Sequence, residues 1–100
     1  MSSPDFVAVG HVTLDDIGEA TRLGGAALFA AVAAHRLGLS VGLLTSHGAD
    51  FPLDLVPSRI EVVTVPAAET TRFEHRHDGA ERSMRVTAAA HPLEIGRAHV

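Results

Sequence analysis

The residues best suited to chemistry in this sequence are one carboxylate and a pair of glycines that follows it. Asp15 comes five positions after Gly10, which ends the apolar segment Phe6–Gly10. Ligands of open α/β sheets usually bind at the carboxyl ends of strands, and a carboxylate there can accept two hydrogen bonds from hydroxyl groups. Gly24 and Gly25 lack a Cβ, so a substrate can approach the backbone and the first amides of a following helix. This combination predicts a site for a small hydroxyl-bearing molecule.

Each of these features also has a plainer interpretation. Asp15 can be a solvated turn acid, and a Gly-Gly pair also marks ordinary loops. Asp16, next to Asp15, receives only a supporting role. Phe29, on the alanine-rich helix after the glycines, can stack on the apolar face of a sugar or on a nucleoside base, or it can fill the core.

The histidines raise the question of a metal site. The sequence contains seven of them, and His75 and His77 share one face of a predicted strand. Two ligands do not make a zinc site, and neither a cysteine nor a suitably spaced third ligand is evident. We therefore expect no bound metal.

The elements that must position these residues form a β-α-β unit. The apolar run Phe6–Gly10 predicts a strand buried on both faces of a parallel sheet. A helix is predicted over about Gly25–Leu37, and because it is apolar nearly all round it is expected to be sandwiched. Gly38 suits the left-handed residue just past a helix end. Val41–Thr45 predicts a second buried strand, parallel to the first.

Farther along, a strand over Ile60–Val65 is followed by a predicted hairpin. An Asp-Gly turn at Asp78–Gly79 separates two strand-like runs, which is a strong hairpin signal. Pairing across that turn places Phe73 opposite Met84 and leaves one face of the hairpin mostly apolar. Such a face could cover a ligand or pack against another subunit.

Composition restricts the class of protein. The chain has 100 residues, 46% of them hydrophobic, which is typical of one small globular domain or part of a larger one. Its 8 basic and 12 acidic residues give a net charge of -4 and no basic patch, so nucleic acid is not an expected partner. The N-terminus lacks a signal-peptide pattern and no apolar stretch is long enough to span a membrane. With no cysteine, the composition fits a cytoplasmic protein.

Several motifs together resemble the N-terminal part of the ribokinase-like (PfkB family) carbohydrate kinases. They are Gly10 with Asp15, the pair Gly24–Gly25, Leu37–Gly38, Gly48-x-Asp50 and the T-T-x-F segment Thr70–Phe73. The resemblance implies an α/β chain with a partial ribokinase-like three-layer fold, a β-α-β core and a small β lid, truncated before the catalytic half. The resemblance covers residues 5 to about 93, and it implies that residues 1–93 are the N-terminal part of a sugar-kinase domain, with the lid hairpin at about 70–87. Gly48 is expected in a turn and Asp50 as a helix cap.

The resemblance also implies a function for the longer parent protein. That protein would transfer the γ-phosphoryl group of ATP, assisted by Mg²⁺, to a hydroxyl of a sugar or sugar-like substrate. Asp15, Gly24 and Gly25 are implied to bind the substrate. Phe29 stands where the family commonly has an asparagine that contacts the sugar. A homodimer through the lid is a further implied possibility.

The base that the family uses lies in a G-x-G-D motif far downstream, and this sequence contains none. We therefore assign no catalytic residue here, and we expect the chain alone to bind no cofactor and to have no kinase activity. A non-catalytic α/β binding or oligomerisation module is the alternative, and a dinucleotide-binding domain is a weaker one because no glycine fingerprint follows the first strand. Residues 94–100, EIGRAHV, resemble a translated sequencing adapter and are predicted to be non-native, the alternative being a native polar tail.

Overall fold

A computed structural model of the chain describes residues 3–79 and 81–93. These residues form seven strands and one helix. In chain order they are β1 (Phe6–Val9), β2 (Thr13–Ile17), β3 (Ala20–Gly24), α1 (Ala26–Arg36), β4 (Val41–His47), β5 (Glu61–Pro66), β6 (Thr71–Asp78) and β7 (Glu81–Ala88). A single 3₁₀ turn, Leu53–Leu55, precedes β5. The predicted tail 94–100 lies outside the described residues.

The first sheet has three parallel strands in the order β1-β4-β5, and α1 packs on it. This confirms the predicted β-α-β core with β1 and β4 as parallel neighbours. Small side chains of the helix, Ala31 and Ala34, are buried with Leu28 and allow a close approach to the sheet. The core consists of Ala8, Val12, Leu14, Leu28, Ala31, Ala34, Val41, Leu43, Phe51, Val56 and Ile60.

The helix ends through its backbone geometry, as the sequence predicts. Gly38 has φ 87°, a left-handed conformation that favours glycine. Its N–H donates to the carbonyl of His35 at 3.0 Å, and the N–H of Leu39 donates to the carbonyl of Ala34 at 3.2 Å. These two bonds form a Schellman motif, which satisfies carbonyls that the end of a helix leaves without partners. The predicted helix extends one residue too far at each end.

The expectation that β1 and α1 are covered on all sides is wrong for this chain. In β1 only Ala8 is buried, while Val7 is 47% and Val9 59% exposed. On α1, Phe29 is 61% exposed. An apolar sequence predicts burial but not the partner that provides it, and in the described residues α1 covers only one face of β1.

The second sheet has the strand order β3-β2-β6-β7, in which β2 and β6 are parallel and the outer pairs antiparallel. The predicted hairpin is confirmed, but its predicted register is wrong by two residues. Phe73 lies opposite Val86 rather than Met84, because Asp78 is still paired, with Glu81, and the turn begins only at Gly79. A shift of two leaves every side chain on its predicted face.

Buried hydroxyl groups at the carboxyl end of β4 join the two sheets. Thr45 and Ser46 are fully buried. The N–H of Val12 donates to Thr45 Oγ1 at 2.9 Å, and the N–H of His91 donates to Ser46 Oγ at 3.2 Å. Because these bonds run from β4 to segments that lead into or out of the second sheet, they connect that sheet to the first one.

Asp50 reinforces the same junction and is not a helix cap. Its Oδ1 accepts bonds from the Thr70 hydroxyl at 2.6 Å and the Thr70 N–H at 3.1 Å. The hydroxyl bond holds the pKa of Asp50 below its usual range. The 3₁₀ turn that follows has Pro52 at its start and no side-chain cap. Gly48 does lie in the predicted turn, since its carbonyl accepts the N–H of Phe51 at 3.3 Å.

Within the described ranges, no helix is both long enough and apolar enough to cross a lipid bilayer.

Candidate functional site

Asp15 lies inside the second sheet rather than in a turn. It occupies the middle of β2, between Arg22 on β3 and Phe73 on β6. Its side chain is 23% exposed, and the hydroxyl of Thr13 donates to its Oδ1 at 2.9 Å. The interpretation of Asp15 as a solvated turn acid is therefore wrong. The Thr13 hydroxyl fixes the orientation of the half-buried carboxylate, whose oxygens can still accept further hydrogen bonds.

The backbone of Gly24 lies directly against this carboxylate. A Cβ at Gly24 would overlap both Asp15 Oδ2 and the hydroxyl of Thr13. At Gly25 a Cβ would overlap the carbonyl of His11, and φ is 101°. The missing Cβ atoms thus make room for the protein's own polar groups. The sequence alone suggested only that they make room for a ligand.

The same glycines lead into the start of α1. Gly25 is the N-cap of the helix, and no side chain caps it. Amide groups in the first turn of a helix carry partial positive charge and attract anionic or electron-rich ligand atoms. The structure therefore brings together Asp15, Gly24 and Gly25 beside a helix N-terminus, whereas their role in binding substrate stays a prediction.

Phe29 is not part of this arrangement. It lines a groove of about 380 Å³ together with Leu23, Val32, Leu55 and other residues of α1 and the 3₁₀ turn. Leu23 pairs with Leu14, and residues next to each other along a strand face opposite sides. Leu23 is therefore on the face of the second sheet that Asp15 does not share. With 61% of its surface exposed, Phe29 does not fill the core, and its contact with substrate stays a prediction.

Asp16 links three strands. Its carboxylate accepts bonds from Arg72 Nη1 at 2.7 and 2.8 Å and from the hydroxyl of Thr21 at 2.7 Å. The bond from Arg72, followed by that from Thr21, lowers the pKa of Asp16. With its oxygens engaged across β3, β2 and β6, Asp16 serves the sheet rather than a ligand.

His75 is the residue that sequence reasoning missed as part of this site. It follows Phe73 by two positions on β6 and so shares the face of Asp15. Its Nε2 lies 3.9 Å from Asp15 Oδ1, is shielded from solvent and has no hydrogen-bond partner. The alternation of the hairpin places His75 on the face of Phe73, but only the parallel pairing of β2 with β6 brings it to Asp15.

No arrangement typical of a metal site accompanies the pair. Over residues 3–79 and 81–93, no three histidine or carboxylate side chains converge in a way that could hold a metal ion. The groups available near Asp15 are hydroxyl, imidazole and backbone amide, which recognise hydroxyl-bearing ligands by hydrogen bonding.

Comparison with known proteins gives a match in structure only. No family model matches this sequence, and no curated protein matches it. A sulfate complex of a pyrophosphate-dependent kinase in the ribokinase family is 20% identical, with a TM-score of 0.73 over 91% of this chain and 36% of that chain. A complex of a pyrophosphate-dependent kinase in the ribokinase family with a pyrophosphate analog and myo-inositol is 21% identical, with a TM-score of 0.71 over 91% of this chain and 34% of that chain.

A fructokinase from Xylella fastidiosa with bound ATP is similar to the same extent. It is 21% identical, with a TM-score of 0.67 over 88% of this chain and 35% of that chain. At this level of identity the likeness establishes the fold. The chain has a partial ribokinase-like fold, as predicted, and spans about a third of the length of the kinases it matches.

Proposed function

We propose that this chain is the N-terminal, substrate-binding part of a carbohydrate kinase that phosphorylates a hydroxyl of a sugar or sugar-like molecule. The observation that carries the proposal is the half-buried carboxylate of Asp15 lying against the Gly24 backbone at the start of α1. It occurs within a fold that solved sugar and inositol kinases share.

Such a site contributes to the reaction by positioning the acceptor molecule. Asp15 accepts hydroxyl hydrogen bonds and fixes the orientation of the acceptor, which removes rotational freedom before the transfer step. The hairpin β6–β7 acts as the lid. Its closure over the acceptor would exclude water and favour transfer to a hydroxyl over hydrolysis.

The phosphoryl donor belongs to the parent protein in this proposal. ATP with Mg²⁺ is the donor implied by the resemblance, and one of the kinases with this fold holds ATP, while others are pyrophosphate-dependent. The sequence has no glycine-rich P-loop and no G-x-G-D segment, and the described residues do not fit a metal ion. No residue of this chain is therefore assigned to the donor, and the chain alone is proposed to be inactive.

The proposal is tested by binding of hydroxyl-rich molecules to the purified 100-residue chain. Saturation-transfer NMR with D-fructose and with myo-inositol suits weak binding and tolerates self-association. We expect saturable binding that Asp15→Asn weakens at least tenfold. Glu19→Gln, at an exposed acid in the β2–β3 turn, is the matched control and should bind like the original chain.

Two results would contradict the proposal. One is the absence of binding to either polyol, and the other is equal binding by the Asp15→Asn and Glu19→Gln variants. A coupled assay with ATP and D-fructose should show no turnover, and turnover by the chain alone would refute its proposed inactivity.

A non-catalytic oligomerisation module is the second candidate. It is favoured by three exposed apolar side chains on the Asp15 face of the second sheet, Ile17 at 46%, Met84 at 60% and Val86 at 57%. This alternative predicts a defined, stable oligomer by size-exclusion chromatography, which Met84→Ser with Val86→Ser dissociates, and no dependence of any polyol binding on Asp15. In the kinase proposal the same face serves the lid and a homodimer of the parent.

A further inference from the structure

We propose that His75 is a specificity-determining residue whose imidazole shares one acceptor hydroxyl with Asp15. The inference rests on the proposed function and identifies the preferred ligand as a polyol with two neighbouring hydroxyl groups. One of these lies between Asp15 Oδ1 and His75 Nε2, and its neighbour bonds to Asp15 Oδ2.

The separation of the two atoms suits a bridging hydroxyl. At 3.9 Å, Asp15 Oδ1 and His75 Nε2 are too far apart for a direct hydrogen bond. For a ligand oxygen placed about 2.8 Å from each atom, the angle between its two hydrogen bonds would be about 90°, which a hydroxyl group tolerates. It can donate its proton to the carboxylate and accept the N–H of the imidazole.

The lack of any partner for His75 Nε2 indicates a ligand rather than a structural role. Buried polar atoms in folded proteins are nearly always hydrogen-bonded. Among the described residues, His75 Nε2 is the one buried side-chain nitrogen or oxygen without a partner. The side chain as a whole is 34% exposed while Nε2 itself is shielded, so a hydroxyl group reaches Nε2 only when the imidazole ring turns.

The remaining bonds of Asp15 explain why two hydroxyl groups are expected. Thr13 already donates to Oδ1, which leaves one acceptor direction there for the shared hydroxyl. Oδ2 receives no side-chain bond and lies against Gly24, beside the start of α1. Adjacent hydroxyl groups of a polyol match the spacing of two carboxylate oxygens, so an acceptor with both is preferred over one with a single hydroxyl.

The position of His75 also connects the acceptor to the lid. His75 pairs with Ile17 on β2 and with Met84 on β7. A hydroxyl group shared by His75 and Asp15 therefore bridges β6, the inner strand of the hairpin, and β2. An acceptor without this hydroxyl leaves His75 Nε2 unpartnered, as it is in the free chain, and binds more weakly because it does not gain this hydrogen bond.

The test compares three variants of the 100-residue chain by saturation-transfer NMR with D-fructose. His75→Phe keeps a planar ring but removes both nitrogens, and should weaken binding at least fivefold. His75→Gln keeps a polar group and should stay within about twofold of the original chain. His77→Phe, at the exposed histidine two positions along the same face, is the control and should bind unchanged.

A second readout does not depend on whether a variant folds. In the ¹⁵N-labelled original chain, long-range ¹H–¹⁵N spectra report on each imidazole nitrogen, and D-fructose should shift His75 Nε2 and leave His77 unchanged. Unaltered His75 signals at saturating D-fructose, or equal binding by His75→Phe and His77→Phe, would overturn the inference. If Asp15→Asn still weakens binding at least tenfold in that case, the proposed function stands and only the role of His75 fails. If Asp15→Asn has no effect, or nothing binds, both fail.

Discussion

Replacing Gly24 by alanine tests whether the glycine is needed to seat the Asp15 carboxylate. The backbone of Gly24 is not in the left-handed region, so alanine brings no backbone strain. Its Cβ would, however, overlap Asp15 Oδ2 and the Thr13 hydroxyl. Overpacking of this kind costs about 1–3 kcal/mol, and displacing the carboxylate also weakens the Thr13–Asp15 hydrogen bond, which contributes about 1 kcal/mol.

An opposing contribution comes from the unfolded chain. Exchanging glycine for alanine reduces the freedom of the unfolded state and stabilises the fold by about 0.4–1 kcal/mol. The net expectation for Gly24→Ala is a free energy of unfolding lower by about 1–3 kcal/mol. Gly42→Ala is the matched control, because its Cβ would meet no atom closer than 3.5 Å, and it should leave the stability unchanged or slightly higher.

Urea unfolding followed by circular dichroism measures both variants, and binding of D-fructose gives a second readout. Gly24→Ala should weaken binding as well, since the carboxylate is displaced. In a background with Thr13→Ala and Asp15→Ala both overlapping groups are gone, so the Gly24→Ala penalty should fall to the level of Gly42→Ala. Equal stability of the two single variants, or an undiminished penalty in that background, would refute the argument.

Three further predictions concern the junction of the sheets and the end of the helix. Thr70→Val should lower the free energy of unfolding by about 2–4 kcal/mol, because the Gly48 N–H loses its acceptor and Asp50 a hydroxyl donor; Thr87→Val, at an exposed 3.4 Å contact, should change it by less than about 0.5 kcal/mol in the same urea titration. The Thr70 hydroxyl lowers the pKa of Asp50 from its ordinary value of 3.8, so the stabilisation by the ionised Asp50 carboxylate is present above that pH and is lost as pH falls below it. The difference in free energy of unfolding between the original chain and Asp50→Asn should therefore shrink in acid, and a constant difference would contradict this. Gly38→Ala, at φ 87° with open space around its Cβ, should cost about 1 kcal/mol by thermal unfolding, and a gain in stability would be inconsistent with the left-handed helix end.

Local signals in the sequence predicted the elements that carry the site. The apolar run of β1, the alanine-rich stretch of α1 and the glycine after it each determine structure within a few residues, so α1 and its end at Gly38 were predicted almost to the residue. The hairpin was predicted for the same reason. Its register was not, because an Asp-Gly pair marks a turn without stating which of its two residues is still paired.

The site was predictable only in part. The spacing of Asp15 and Gly24 indicated a carboxylate near a glycine pair, and the structure brings the two together. The structure adds a reason for Gly24 that the sequence did not indicate, because the missing Cβ makes room for Asp15 itself. The interpretations of Asp50 as a helix cap and of Phe29 as a core residue failed, since both depend on which distant segment lies alongside.

Strand alternation and helix periodicity are properties of consecutive residues, so the sequence alone indicates where strands, helix and turns form and which side chains share a face. Which faces meet depends on how distant segments pack. The parallel pairing of β2 with β6 joins segments more than fifty residues apart, and it alone places His75 beside Asp15. No pattern within either strand encodes that contact, since the pairing of distant strands is set by the packing of the whole chain.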